Sequence, residues 1–514
     1  MRYLFCLLGL LCVTEVWGLE LSEQGRQEAE VFNSFLQAIY SPASPQQTFA
    51  GLEKTLALAP DSKYVRRLLV SLALAAGNPE QAKPYIGFID EGENDAQDWE
   101  VYAAYEWQAG QVATARQAYE KALALNPDDT KILYQYILLL AALPLEEAVP
   151  ALEQLVPDHA SETANIYTTI GRLYAQRLQF EQALAYLQKA VESAPDDPSP
   201  RLVRAEIYEK NSQLFLLLHE LEELEQMGYA NAGTLSRMGA VFLLSKDVPR
   251  AQAYFLKAKA DDNTDATSNY FLALLAEQRG DLESAIGYLK DSAEYPIKSA
   301  LRVQVSFYEN RLNRPHNTLR TLGQAYRDFP GNVEVAFFYG LALNDNGDHR
   351  QAARVFKQIL STNPDYPEAR LHYAYALESL HRYRDMEFQL AWLLDRQPQN
   401  AAALNLYAYS LAERNQRLDE AQGYIVRALA VSPQDYSFID TLGWVLIRQG
   451  KLAQAQDVLF ALPQEIIEQN AEIAYHLGVL YHEQGDTQKA LKYLEMAQDE
   501  WPAAKKLYKQ LRAK

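Results

Sequence analysis

The chain has 514 residues, of which 48% are hydrophobic and 22% are charged. A chain of this length is too long to fold around one ordinary hydrophobic core, so it is predicted to form several domains or a repeat array. The composition excludes wholesale disorder and a multi-span membrane protein. The net charge of −19 disfavours nucleic acid as a partner, because the phosphates of a nucleic acid are attracted to a basic surface. It favours protein partners instead.

The first eighteen residues have the pattern of a secretory signal peptide. Arg2 supplies a short basic region, residues 4–13 form an apolar stretch, and residues 16–18 (Val-Trp-Gly) form a cleavage site. A buried first helix or a membrane anchor is the alternative, but ten apolar residues fall short of the ~20 that span a bilayer. We therefore expect residues 1–18 to be removed and the mature chain to be periplasmic or secreted, with outer-membrane association left open.

Both cysteines of the chain, Cys6 and Cys12, lie within this leader. Neither follows directly on a small residue, as the modified cysteine of a lipoprotein does, so a lipid anchor is disfavoured. After cleavage no cysteine remains, which excludes disulfides, thiol nucleophiles and thiolate metal sites from the mature chain.

A sequence pattern of small and apolar residues recurs along the chain with a mean spacing of 34 residues. Its fourteen repeats are counted from one anchor residue each. The anchors are Leu36, Val70, Ala103, Tyr136, Gly171, Ala205, Gly239, Ala273, Ser306, Gly340, Ala374, Ala408, Gly443 and Gly478.

Alanine follows the anchor by twelve residues in nine units, and proline follows it by twenty-four in seven. Small residues at both places let two helices approach closely, and the proline ends the second helix. Apolar residues recur at helical spacing within each unit, so each unit is predicted to be a helical hairpin.

This pattern resembles the tetratricopeptide repeat, a 34-residue helix-turn-helix unit. The resemblance implies an all-α fold, namely a right-handed superhelical solenoid of about fourteen hairpins over residues 19–500, with a concave groove. Residues 501–514 read as a basic C-terminal capping helix. Three units, anchored at Tyr136, Ala205 and Ser306, lack most signature residues, and the Ala408 unit has one extra residue before its alanine.

The repeats leave too few residues for a catalytic domain, so we expect no enzyme and no cofactor. The eight histidines form no HExxH motif, and His476 and His482 are six residues apart, which places them on different helix faces. We therefore expect structural or surface histidines and no metal site. No GxxxxGK[ST] loop is present to bind phosphate.

Binding is then the expected function, and the resemblance implies where it occurs. In tetratricopeptide proteins the first helix of each hairpin lines the groove, with positions six and three before the anchor and one and four after it pointing inward. The predicted partner-binding residues are Tyr270, Phe307, Asn310, Phe337, Asn344, Tyr375, Glu378, Asn405, Tyr409, Asp440, Trp444 and Tyr475.

The residue after the anchor is Phe307, Leu341, Tyr375, Tyr409 and Trp444 in five successive units. Such a ladder of large side chains suits an extended peptide or an apolar helix, and neighbouring asparagines could bond its backbone. The alternative is that these side chains pack onto the adjacent first helix and thicken the core. The basic clamp that binds a C-terminal carboxylate in some relatives is absent.

Residues 400–460 also resemble a group of Gram-negative envelope proteins, through Leu404-Asn405, the run from Tyr409 to Ala412, and the run from Ile439 to Trp444. One member type is a lipoprotein that delivers cell-wall hydrolases to a carboxyl-terminal processing protease. We expect a periplasmic scaffold or adaptor for protein partners. The alternatives are a scaffold for exopolysaccharide export or outer-membrane assembly machinery, and a cryptic hydrolase formed on the solenoid.

Overall fold

The computed structural model describes residues 23–40, 44–90 and 93–513, so the predicted leader lies outside the described residues. The described chain folds into helices joined by short turns, with no strand in these ranges. Within them, every helix is too short or too polar to traverse a bilayer. The chain divides into two compact units between Ala230 and Asn231.

The first unit contains hairpins 1 to 6, formed in pairs by twelve α-helices; short 3₁₀ segments follow α4 and precede α9. The helices are α1 (Glu23–Tyr40), α2 (Pro45–Leu58), α3 (Lys63–Ala75), α4 (Pro79–Ala82), α5 (Ala96–Gln108), α6 (Val112–Leu125), α7 (Thr130–Ala141), α8 (Leu145–Leu155), α9 (Thr163–Gln176), α10 (Phe180–Ser193), α11 (Pro198–Lys210) and α12 (Leu214–Gln226).

The second unit contains hairpins 7 to 14, with a short extra helix, α27, after hairpin 13 and a terminal helix, α30. The helices are α13 (Ala232–Leu244), α14 (Val248–Asp261), α15 (Ala266–Gln278), α16 (Leu282–Asp291), α17 (Ser299–Arg311), α18 (Pro315–Asp328), α19 (Val333–Asp345), α20 (His349–Thr362), α21 (Pro367–Ser379), α22 (Tyr383–Arg396), α23 (Ala401–Glu413), α24 (Leu418–Val431), α25 (Tyr436–Arg448), α26 (Leu452–Leu459), α27 (Gln464–Gln469), α28 (Ala471–Glu483), α29 (Thr487–Ala497) and α30 (Pro502–Arg512).

All fourteen anchors lie in the first helix of a hairpin, which confirms the predicted period. The three units with weak signatures, anchored at Tyr136, Ala205 and Ser306, are regular hairpins. Within each unit the second helix of one hairpin packs against the first helix of the next. The core of each unit is therefore built from contacts between neighbouring hairpins.

Five anchors are glycines, and each faces a large side chain sixteen residues later. A Cβ added at Gly340 would lie 2.7 Å from Phe356, and one added at Gly478 would lie 2.7 Å from Leu494. Phe356 and Leu494 are fully buried. Glycine is needed at the anchor because the backbone of the first helix is in contact with this side chain of the second.

The turn between the two helices contains a left-handed residue seven positions after the anchor in twelve hairpins. Six of these residues are glycines, which adopt a positive φ without steric cost. The others are Leu178, Ser212, Lys246, Asn313, His381 and Asn415.

Hairpins 2 and 12 depart from the regular pattern, the first because of a proline and the second because of one extra residue in its turn. In hairpin 2, α4 ends at Ala82 and continues as a 3₁₀ segment, because Pro84 disfavours the helical conformation before it and donates no hydrogen bond. In hairpin 12, Asn415 and Arg417 are both left-handed. The turn thereby absorbs the extra residue, and Ala421 remains buried.

Candidate functional site

The C-terminal cavity, a space of about 490 Å³ in the second unit, is formed mainly by the first helices of hairpins 11 to 14. Four of the twelve predicted residues line it, and they come from three successive first helices. The lining is Tyr375, Asn405, Leu406, Tyr409, Tyr436, Ser437, Asp440, Thr441, Ile466, Asn470, Glu472, Ile473 and Trp501.

Aromatic side chains form much of the cavity wall. Tyr375 is 37% exposed, and Tyr409, on the next first helix, is half-buried. Trp501, just before α30, reaches the cavity from the C-terminal end, and its ring centroid lies 6.2 Å from that of Tyr475. Tyr375 and Tyr409 thus present an apolar face and a hydroxyl to whatever enters the cavity.

Trp444 was predicted to be a partner-binding residue, with packing onto the adjacent first helix as the alternative. Its side chain is only 3% exposed. The His476 ring stacks on it with centroids 4.2 Å apart and planes 13° apart, and the Tyr475 ring lies 5.9 Å away. Both partners belong to α28, so the first helix of the next hairpin covers the indole. For Trp444 the core alternative is correct.

Asp440 lines the cavity, but its carboxylate is already paired. His476 Nδ1 lies 2.9 Å and 3.0 Å from the two carboxylate oxygens of Asp440, and the imidazole is completely buried. Burial opposes a charge on His476. The charge and hydrogen bond of Asp440, together with the carboxylates of Glu472 and Glu413, outweigh burial and raise the pKa of His476 above its ordinary value. His476 is therefore a buried structural histidine held by Asp440, and Asp440 forms part of the cavity wall with its carboxylate already paired.

Carboxylates act on the Tyr409 hydroxyl, and that of Glu472 is hydrogen-bonded to it. Burial raises the pKa of this hydroxyl, and the nearby carboxylates of Glu472, Glu413 and Glu378 raise it further. Burial also raises the pKa of Glu472, against the opposing effects of the His476 charge and of a hydrogen bond from Tyr409. The pKa of Glu378 is raised mainly by burial and then by the carboxylate of Glu413, while His381 and Arg414 act in the opposite direction. Glu378, although outside the cavity lining, therefore contributes to its field.

Two further predicted residues, Phe307 and Asn310, line a second, smaller cavity of about 130 Å³ between hairpins 9 and 10. Phe307 is 48% exposed, so its ring is available there. Tyr270 is 41% exposed and lines neither cavity. A polar cavity of about 600 Å³ in the first unit, formed by hairpins 4 to 6, contains none of the predicted residues.

The side chains of Asn344 and Phe337 make contacts within the chain. Asn344 Nδ2 donates to the backbone oxygen of His372 over 3.1 Å, and its Oδ1 lies 3.3 Å from His349 Nδ1. The Phe337 ring stacks on Tyr366 with centroids 5.3 Å apart. Each residue thus ties its own first helix to the neighbouring structure, and its role in partner binding stays a prediction.

Sequence reasoning missed Glu472, Tyr436 and Trp501 in the cavity lining. Glu472 lies six positions before its anchor Gly478, an offset that the family pattern already marks as inward-facing, so the signal was available. Tyr436 begins α25 and Trp501 lies between two helices. No offset within a hairpin identifies residues at such places.

Known proteins were compared with the chain. Family models described as tetratricopeptide repeat match residues 37–214, 343–409 and 441–505. The TPR repeat-containing protein PA4667 of Pseudomonas aeruginosa is 33% identical over 150 residues, which are 28% of this chain and 24% of that protein. The chain thus spans about a quarter of the length of this curated relative.

Two solved structures illustrate the structural likeness. A tetratricopeptide repeat protein from Parabacteroides merdae aligns with a TM-score of 0.42 at 18% identity, over 48% of this chain and 97% of that protein. Yeast Tom70 aligns with a TM-score of 0.34 at 14% identity, over 81% of this chain and 96% of that protein.

Proposed function

The chain belongs to the tetratricopeptide repeat family, and we propose that it is a non-enzymatic adaptor of the cell envelope that binds protein partners at the C-terminal cavity. One observation carries this proposal. Tyr375, Asn405, Tyr409 and Asp440 were selected from sequence as partner-binding residues, and they meet in one cavity although they come from three different hairpins. Cavities with aromatic walls and a few polar groups are typical binding sites.

The proposed location rests on the leader, residues 1–18. N-terminal sequencing of the mature protein is expected to begin near Leu19, and cell fractionation is expected to find the chain outside the cytoplasm. A mature chain that still begins with Met1 would refute export by this route.

The finer proposal is that the bound partners are delivered to an envelope protease. It is supported by the resemblance of residues 400–460 to envelope adaptors of that kind. Deletion of the gene is expected to stabilise the captured partners in the envelope, as followed by immunoblotting after synthesis is stopped. If the partners have the same lifetime in the deletion strain as in the wild-type strain, delivery to a protease is refuted.

Binding at the cavity is tested with two variants that each truncate an accessible aromatic ring. Tyr409→Ala removes part of the cavity wall, and anchors of this type typically contribute about 2 kcal/mol or more to binding. Phe388→Ala is the control, because Phe388 is 67% exposed on the second helix of hairpin 11 and lies outside the cavity lining. Pull-downs from envelope extract should lose the partner at least tenfold with Tyr409→Ala and keep it with Phe388→Ala. Equal capture by both variants would place binding elsewhere.

A further inference from the structure

The first-unit cavity, a space of about 600 Å³, is chemically different from the C-terminal cavity. Its lining comes from three stretches of the chain, residues 134–141, 162–176 and 197–199, which belong to hairpins 4, 5 and 6. The volume is within the range of about 300–1,000 Å³ that is usual for ligand sites. Polar side chains form most of the wall contributed by hairpins 5 and 6.

One face of α9 presents a row of hydrogen-bonding side chains to this cavity. The row consists of Asn165, Thr169, Arg172 and Gln176, which recur at helical spacing and all line the cavity. Neighbours in such a row lie about 5–6 Å apart. In the part of the chain that the structure describes, the side chains of Thr169, Arg172 and Gln176 make no hydrogen bond or ion pair. The row therefore offers unused donors and acceptors along the length of α9.

The free guanidinium of Arg172 distinguishes it from the other arginines of hairpins 5 and 6. Arg177 donates to the backbone oxygen of Leu173, and Arg201 and Arg204 donate to side chains of the neighbouring second helices. These three arginines stabilise the hairpins, whereas Arg172 has no such role among the described residues. Its donors remain available to a ligand in the cavity.

Two carboxylates also line the first-unit cavity. Glu162 Oε2 accepts a hydrogen bond from Asn165 Nδ2 over 3.2 Å, and Asp197 Oδ1 accepts one from the backbone N–H of Ser199 over 2.9 Å. Each carboxylate has a second oxygen that can accept from another donor. Because one cation stands beside two carboxylates, the cavity has little net charge and does not select a strongly acidic or strongly basic ligand.

The α7 helix supplies the apolar part of the lining. Tyr134 and Leu138 lie one turn apart on this helix, and their side chains are 54% and 42% exposed. The phenol ring of Tyr134 combines an apolar face with a hydroxyl that can donate or accept. The cavity thus has one small apolar surface next to many hydrogen-bonding groups.

This combination matches the chemistry of a sugar. A pyranose ring has an apolar face of C–H groups that packs on an aromatic ring, and hydroxyls that both donate and accept hydrogen bonds. The lining offers a donor in Arg172, an acceptor in Asp197, and amides and hydroxyls that serve as both. A peptide, by contrast, usually binds through a few large side chains that fill apolar pockets, and this cavity has only one apolar wall.

We propose that the first-unit cavity binds a neutral oligosaccharide. The Tyr134 ring stacks on one sugar ring, Arg172 and Gln176 donate to sugar oxygens, and Asp197 accepts from sugar hydroxyls. This inference goes beyond the proposed function and does not depend on it, because the C-terminal cavity belongs to the other unit. The chain then has a glycan site in its first unit in addition to a protein site in its second.

The first experiment is a glycan array that carries neutral and acidic oligosaccharides. It is probed with the fluorescently labelled full chain, as wild type and as the Tyr134→Ala/Arg172→Met double variant. Wild type is expected to bind a set of neutral oligosaccharides that share a sugar unit, and the double variant is expected to lose them. Binding to no oligosaccharide, binding to acidic ones alone, or equal binding by both proteins would overturn the proposal.

The affinity of the strongest array ligand is then measured by isothermal titration calorimetry with the soluble oligosaccharide. Tyr134→Ala and Arg172→Met should each weaken binding by about tenfold or more, since each removes one main contact. Tyr40→Ala is the matched control, because Tyr40 is 75% exposed at the end of α1 and lies outside the cavity lining. Equal affinities of Tyr134→Ala and Tyr40→Ala would overturn the proposal.

Thermal unfolding separates loss of binding from loss of structure. Arg172 and Gln176 are exposed, so Arg172→Met and Gln176→Ala should unfold at the temperature of wild type while their affinity for the oligosaccharide falls. Unchanged affinity in both of these variants would overturn the proposal, whatever the stability of Tyr134→Ala.

Two further measurements separate this inference from the proposed function. Tyr409→Ala should lose the protein partner but keep the oligosaccharide, and Arg172→Met should do the reverse. Loss of the oligosaccharide in Tyr409→Ala would overturn its placement in the first unit. A displayed library of random peptides that yields binders to wild type but not to Arg172→Met would identify a peptide groove and overturn the glycan as occupant.

Discussion

The contact between anchor and second helix predicts opposite outcomes for one substitution at two glycines. Gly443 lies in α25, and a Cβ added there would lie 2.5 Å from Leu459 Cγ and 3.1 Å from Leu459 Cδ1. Gly423 lies within α24, and a Cβ added there meets no atom within 4 Å. Alanine at Gly443 must therefore displace a fully buried leucine, whereas alanine at Gly423 displaces nothing.

The magnitude follows from two contributions. Alanine in place of a helical glycine stabilises a helix by about 0.8–1 kcal/mol, and this gain is common to both variants. Overpacking at Gly443 costs about 1–3 kcal/mol, because the added Cβ would overlap the fully buried Leu459 side chain. The difference in unfolding free energy between Gly443→Ala and Gly423→Ala should therefore be about 1–3 kcal/mol, with Gly443→Ala the less stable variant.

Hydrogen exchange followed by mass spectrometry is the suitable assay, because hairpin arrays can open locally. Peptides over residues 436–459 should exchange faster in Gly443→Ala than in Gly423→Ala by about 5- to 150-fold, each factor of ten corresponding to about 1.4 kcal/mol. Residues 418–431 should exchange more slowly in Gly423→Ala than in wild type. Equal protection of residues 436–459 in the two variants would refute the packing argument.

Three other predictions test the turn and the buried residues. Trp444→Ala should destabilise the second unit by about 3–5 kcal/mol in urea unfolding, whereas a loss below 1 kcal/mol would contradict the burial of this indole. Since the pKa of His476 in the folded chain is raised above 6.5, the stability from its pair with Asp440 should be fully present below that pH. It should decline as the pH rises through the folded-state pKa, and Asp440→Asn should abolish this part of the pH dependence in urea titrations. Leu178→Gly should stabilise the first unit by about 1 kcal/mol in thermal unfolding, because Leu178 has a φ of 59°, which is strained for leucine but not for glycine. The Leu178 side chain is 69% exposed, so its removal should cost little. A decrease in stability would show that the contacts of the side chain contribute more than the backbone strain.

The sequence predicted the hairpins well because the relevant contacts are local. An anchor and its partner lie sixteen residues apart, so spacing alone identified even the unit at Ser306. The short α4 is not visible from the period, because it depends on one proline, Pro84, rather than on the repeat.

The candidate site was predicted less completely, because its residues meet between hairpins. The offset rule gives the direction of a side chain from its own helix, which placed Tyr409 and Asn405 in the cavity lining. Whether a neighbour then covers that side chain depends on the following unit. Trp444 is covered because His476, in the next first helix, stacks on it.

The turn of hairpin 12 has a consequence for how such a chain tolerates change. Its extra residue is accommodated between Asn415 and Arg417, while Ala421 and Ile425 beyond it stay completely buried. One residue inserted in this turn therefore leaves the same face of the following helix buried. The turn at residues 415–417 is therefore a natural place to insert a fluorophore tag or a short epitope, which would report on the second unit without altering the cavity formed by the first helices.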